Sequence, residues 1–196
     1  MNSKILRINK GDGTAPNDNP FYGGFQSGDD RMWALGLCQP FSLDVQSGTS
    51  RMFVNEVGEA TWEEIDEVAE RANYGWPTHE GTTSSPDPSL QNYQNPVLAY
   101  SHTGDGASTG CSITGGAFYD PAQARFPSQY QGDYFYADFC SGWIRSFDPT
   151  TKTDASFATG IVKPVDLEVG ENGSLYYLFR GSNSVPAAVR EVRYAG

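Results

Sequence analysis

Cations are scarce in this chain: 13 lysines and arginines face 24 aspartates and glutamates over 196 residues, a formal net charge of −11. A protein that grips a phosphate backbone needs a basic face, so nucleic acid is excluded as a partner. An anionic membrane surface is excluded on the same ground. No run approaches the roughly 18 apolar residues of a spanning helix. The opening MNSKILRINKGDG has no apolar stretch after Lys4, so it is not a signal peptide. Histidine is limited to His79 and His102, and cysteine to three residues. The sequence holds no glycine-rich phosphate loop, Cys-x-x-Cys pair, H-E-x-x-H or G-x-S-x-G, which removes the nucleotide, zinc and serine-hydrolase readings.

What is present is turn chemistry. Twenty-two glycines, 12 prolines and 13% aromatics, with only 38% hydrophobic residues, suit short strands joined by tight turns. Turn signals recur as KGDGT (10–14), QSGTS (46–50), DPTTKTD (148–154) and GENGS (170–174). β-rich runs lie between them. Alternation puts Tyr134, Tyr136 and Asp138 on one face of a strand, and Phe135, Ala137 and Phe139 on the other. Asn172-Gly173 is a two-residue hairpin signal; with Ser174 it also spells a glycosylation acceptor, and the hairpin is the simpler account.

The segments FSLDVQSGTSRMFVNEVG (41–58) and PVDLEVGENGSLYYLFRG (164–181) share one plan of strand, turn, longer strand and exit. Their offset is about three times the roughly 40–45 residues of a propeller blade. The expectation is one all-β domain over 1–196 with about three four-stranded antiparallel blades, preceded by an outer strand, KILRI. Residues 61–72 admit a helix, because Thr61 and Glu64 fit a capping box and Ile65, Val68, Ala69 and Ala72 fall at helical spacing. EEIDEV equally fits a strand at a blade's outer edge, where carboxylates discourage edge pairing. The repeat plan favours the strand.

Residues 55–77, NEVGEATWEEIDEVAERANYGWP, set seven carboxylates beside an aromatic corner. These are either solvated edge charges or part of a cage for a hard cation such as Ca²⁺, which takes oxygen ligands.

Six segments in register, KILRINKGDGTAPNDNPF, WALGLCQPF, NEVGEATWEEID…ANYGWP, CSITGGAFY, GDYFYADFCSGWIRSFDP and FATGIVKPVDLEVGENGSLYYL, resemble the glucose/sorbosone dehydrogenase family, soluble quinoprotein sugar dehydrogenases. The resemblance implies a partial six-bladed propeller corresponding to the carboxy-terminal part, with the early blades missing. It implies pyrroloquinoline quinone (PQQ) and calcium as cofactors, and a sugar hydroxyl oxidised to a lactone. A periplasmic or extracellular setting is implied for the full-length parent. By position, the carbonyls of Gly58 and Glu59 would bind the calcium that polarises the quinone. Glu64, Tyr74 and Glu80 would hold a second, structural calcium. Gln39 and Lys163 would contact the quinone.

The family's catalytic base is a histidine in an early blade, and neither His79 nor His102 occupies its motif, so no catalytic residue is assigned. Cys38-Gln39-Pro40 stands where the family has Arg-Asn-Pro, which removes a fixed positive charge. The chain alone is therefore expected to be inactive; the alternative is a non-catalytic, calcium-stabilised propeller that binds a ligand or protein. Exposed blade edges point to self-association or to a missing propeller half. Cys111 opens one strand and Cys140 closes another, so antiparallel pairing would bring the sulfurs within bonding distance; two reduced thiols are the other reading. A disulfide would place the chain in an oxidising compartment.

Overall fold

The structure, a computed structural model, describes residues 4–24, 29–104 and 108–194. Among the described residues thirteen strands form four antiparallel sheets. β1 (Ile5–Leu6) pairs with β2 (Met32–Ala34). A four-stranded sheet follows in chain order: β3 (Gln39–Val45), β4 (Met52–Val57), β5 (Trp62–Glu67) and β6 (Leu98–Ser101). The next sheet is β7 (Ile113–Phe118), β8 (Tyr134–Asp138), β9 (Trp143–Asp148) and β10 (Thr153–Ala158). The last is β11 (Pro164–Val169), β12 (Leu175–Phe179) and β13 (Ala188–Val192). Two blades are thus four-stranded, one is three-stranded, and one is represented by two strands.

The first strands of successive sheets pack side by side, β7 lying between β3 and β11. This is the stacking of a propeller. Gly115 permits it: its φ is +48°, and a Cβ there would lie 2.6 Å from the Leu167 backbone nitrogen on β11. Any side chain would push the two strands apart.

Each central sheet feeds two cores, as the alternation requires. Tyr134 and Tyr136 join Phe53, Ile65, Tyr100, Ile113 and Phe147 on one side. Phe135 and Ala137 join Tyr119, Phe126, Ile144, Leu167 and Leu175 on the other. A third core of Ile5, Ala34, Leu37, Val54, Ala72 and Tyr74 seals β1–β2 against the β4 side.

Residues 62–67 form a strand, not a helix, because β4 and β6 flank them with continuous pairing. Its place differs from the expectation. β5 is the third strand, β6 lies outside it, and Glu63, Glu64 and Asp66 are buried. They are not edge guards. The Asn172-Gly173 hairpin is present with a longer turn: the Gly173 N–H donates to the Gly170 carbonyl, and Gly173 takes the left-handed conformation, φ +77°. This is a three-residue connection with glycine after a β-turn. Asn172 turns its amide onto Ser174 and Tyr176.

Cys111 and Cys140 form a disulfide with Cα atoms 5.7 Å apart, next to the Ile113–Asp138 pair of β7 and β8. The fully buried Asp138 carboxylate organises this end: Oδ2 accepts from Tyr100 Oη and the Cys111 and Ser112 amides, Oδ1 from the Cys140 and Ser141 amides.

Asp133 is 6% exposed, and burial, then the Asp148 charge, push its pKa up to about 6. A carboxyl whose folded pKa is raised favours folding below its unfolded value and loses that contribution as pH rises through about 6. Asp133→Asn is therefore expected to be more stable than wild type by about 1 kcal/mol at pH near 7.5, with the gain gone near pH 4, as read from paired urea titrations.

Candidate metal centre

The β4–β5 hairpin sets the register of the site. Glu56 pairs with Glu64 and Val54 with Asp66, so the three acidic side chains share one face. Glu56 and Glu64 are each 4% exposed and Asp66 is fully buried. One ligand oxygen from each lies within 4.8 Å of the others. The Cys38 amide donates to Glu56 Oε1, and the Gly81 amide to Glu64 Oε1. Among the described residues no amide or hydroxyl donates to Glu56 Oε2 or to either Asp66 oxygen, and Glu56 and Asp66 can bond each other only when one of them carries a proton.

Three buried carboxylates this close do not remain ionised together without compensation. Burial, then the neighbouring Glu64, push Glu56 up to about 8; burial, with Glu80 and Glu63 adding, pushes Glu64 up to about 7. Asp66 is driven well above the carboxylate range, by burial first and Glu64 and Glu56 next. A shared proton or a cation is what can join these groups. All-oxygen donors with open lone pairs are the chemistry of a hard divalent ion.

Tyr74 lies in the same core as Val54, and Asp66, Glu67 and Glu56 are the charges that bear on its phenol. Its hydroxyl is committed elsewhere, donating to the Glu67 carbonyl at 2.7 Å and accepting from the Ala69 amide at 3.1 Å. The 73–77 corner is stitched on both sides. Tyr74 and Trp76 amides donate to Leu35 and Gly36 carbonyls, the Gln94 amide donates to the Asn73 carbonyl, and the Trp76–Pro77 bond is cis.

Glu80 behaves differently. Oε1 accepts from the Ala60, Thr61 and Trp62 amides at 3.0, 3.2 and 3.4 Å, and Oε2 from Thr61 Oγ1 at 2.6 Å. It closes the turn that begins at Gly58, whose missing Cβ would lie 1.8 Å from the Trp62 carbonyl oxygen and 2.3 Å from Glu80 Oε1. The Glu59 side chain is exposed on that turn.

Gln39 is exposed at the start of β3, and Lys163 sits before β11 with Nζ 5.7 Å from the Phe139 ring. β7 separates those two strands. Cys38 is outside the disulfide and buried; burial, then Glu56, Glu59, Glu80 and Glu64, push its thiol up to about 11. The two histidines have structural partners. His79 Nε2 accepts from the Asp87 amide at 2.8 Å, and His102 Nε2 meets Glu63, whose other oxygen takes the Ile113 amide across the sheet boundary. The sequence reading missed Glu56 and Asp66 as cage members. The signal was there: Glu64 and Asp66 alternate, and Glu56 faces Glu64 once the hairpin register is drawn.

Radially stacked antiparallel sheets and an acidic cage define this chain as a segment of a β-propeller. It belongs to the Glucose / Sorbosone dehydrogenase family, whose family model matches residues 2–185. The HIPL1 and HIPL2 proteins of Arabidopsis thaliana are 32% and 35% identical over 164 and 162 residues. Those matches take in 76% and 78% of this chain but only 22% and 23% of the relatives, so it spans under a quarter of their length. The apo-form soluble aldose sugar dehydrogenase of Escherichia coli superposes at TM-score 0.74 with 21% identity, over 97% of this chain and 55% of that one. The PQQ-bound aldose sugar dehydrogenase of Streptomyces coelicolor gives 0.69 with 20% identity, over 97% and 51%. At that identity the likeness concerns the fold alone.

Proposed function

We propose that this chain is a calcium-stabilised segment of a sugar dehydrogenase propeller that does not turn over by itself. The parent reaction is oxidation of a sugar hydroxyl to a lactone with PQQ. The observation that carries the calcium reading is the trio Glu56, Glu64 and Asp66, buried with three oxygens to which no amide or hydroxyl of the described residues donates. These residues fit a hard cation, with the Tyr74 carbonyl as a further ligand. The ion would supply charge that lets all three carboxylates stay ionised, and the carbonyls of Gly58 and Glu59 are proposed for the cofactor calcium.

PQQ fits less well. It carries three carboxylates, and the charged groups around Cys38 are themselves carboxylates. Gln39 offers an amide, and Lys163 is one cation on the far side of β7. Dye-linked glucose oxidation with added PQQ and Ca²⁺ tests the proposal; turnover above the protein-free background would refute it.

The Cys38 surroundings also favour a second reading, a propeller retained for ligand or protein binding. Titrating PQQ into the protein separates the two, because saturable uptake seen by absorbance belongs to the dehydrogenase reading. Phe41, Leu43 and Val45 lie exposed along β3, and Leu6 shares a shallow groove with Phe41 and Leu43, which supports further blades or a second copy as the covering partner. The Cys111–Cys140 bond supports an oxidising, periplasmic or extracellular setting for the parent. Among the described residues no helix is long and apolar enough to cross a membrane.

A further inference from the structure

We propose that Glu80 is a positioning residue, and that Glu80-Gly81 is a strap through which cation binding at the carboxylate cage orders the 58–62 turn. The proposal rests on the cage binding a divalent cation. Two adjacent residues reach in two directions. The Gly81 amide donates to Oε1 of Glu64, one of the three cage carboxylates. The Glu80 carboxylate collects three consecutive amides of the turn, at Ala60, Thr61 and Trp62, and the Thr61 hydroxyl. Successive N–H groups converging on one anion make a nest, and here the anion is supplied from another loop of the same chain.

The two contacts cannot move independently, because neighbouring Cα atoms are fixed at about 3.8 Å. The strap also lies flush on the turn: a Cβ at Gly81 would come within 2.7 Å of the Trp62 ring. Its other side is fixed where the Asp87 amide donates to His79. A cation that draws Glu64 into one geometry therefore fixes Gly81, and through Glu80 it fixes the turn that carries the Gly58 and Glu59 carbonyls. Filling one site prepares the other, and linkage requires the effect to be reciprocal.

The test is amide hydrogen exchange by NMR on the whole chain, with and without millimolar Ca²⁺, alongside calorimetric Ca²⁺ titration. In wild type, Ca²⁺ is expected to slow exchange at Ala60, Thr61 and Trp62 by at least about fivefold. Glu80→Gln removes the charge but keeps an acceptor, so it should retain that protection with Ca²⁺ affinity within about tenfold of wild type. Glu80→Ala should still bind Ca²⁺ but lose the protection.

Failure to bind Ca²⁺ in wild type overturns the cage reading, and this proposal with it. Ca²⁺ binding in wild type without protection of the three amides overturns the strap alone, and needs no variant to fold. Equal protection in wild type and Glu80→Ala does the same. Loss of more than about a hundredfold in affinity in Glu80→Gln makes Glu80 a ligand and ends its assignment as a positioning residue.

Discussion

Saturating Ca²⁺ is expected to raise the midpoint of thermal unfolding by about 5–10 °C, and chelation to reverse the gain. An ion at about one hundred times its dissociation constant adds about 2.7 kcal/mol, and a domain of this size gains about 2–4 °C for each kcal/mol. Mg²⁺ should act less, because it demands a small octahedral shell and gives up water reluctantly. The decisive variant is Asp66→Asn. Among the described residues no amide or hydroxyl donates to either Asp66 oxygen, and the site is fully buried and crowded by Glu56 and Glu64. Burial and its neighbours hold the metal-free Asp66 carboxyl protonated, so without metal the neutral amide should melt within about 2 °C of wild type, while its Ca²⁺ shift falls below about 2 °C. Calorimetry with and without Ca²⁺ reads both quantities. A wild type indifferent to Ca²⁺, or an Asp66→Asn protein that keeps the full shift, overturns the assignment.

The second large effect is expected at Asp138. One carboxylate serves five donors from Tyr100, Cys111, Ser112, Cys140 and Ser141. Asp138→Ala strands those donors at the end of β7–β8 and should cost about 3–5 kcal/mol in urea unfolding. The comparison is the paired Cys111→Ser, Cys140→Ser protein. Opening a bridge between residues 29 apart in sequence should cost about 3.5 kcal/mol by the loop-entropy argument. Asp138→Asn, which keeps one acceptor, should fall between wild type and alanine. A cost under about 1 kcal/mol for the alanine variant would show that water replaces the carboxylate at this end.

Alternation made most strands legible. Tyr134 to Asp138 and the turn at Asn172-Gly173 followed from side-chain period and turn chemistry, which are local. The middle of the acidic stretch was harder. Period alone left a helix open for 61–72, and only pairing with β4 and β6 decides it. The cage was half legible for the same reason. Glu64 stood out through a family resemblance, but Glu56 joins it only because the turn before β5 sets Glu56 opposite Glu64. Glu80 was readable as an acid near the corner, yet its bonds to the 60–62 amides span about 20 residues of irregular chain. No periodicity reports contacts of that kind. Glu63 and His102 are similar, 39 residues apart and joined across β5 and the end of β6.

Tyr134 and Phe135 are neighbours in the chain, yet their rings belong to separate cores. The β7–β10 sheet is thus clad on both sides, whereas among the described residues β1–β2 and β11–β13 each lean on a single neighbour. Loosening must begin at the flanks and travel inward, so the central blade, with its cystine, is the last piece of this chain to come apart.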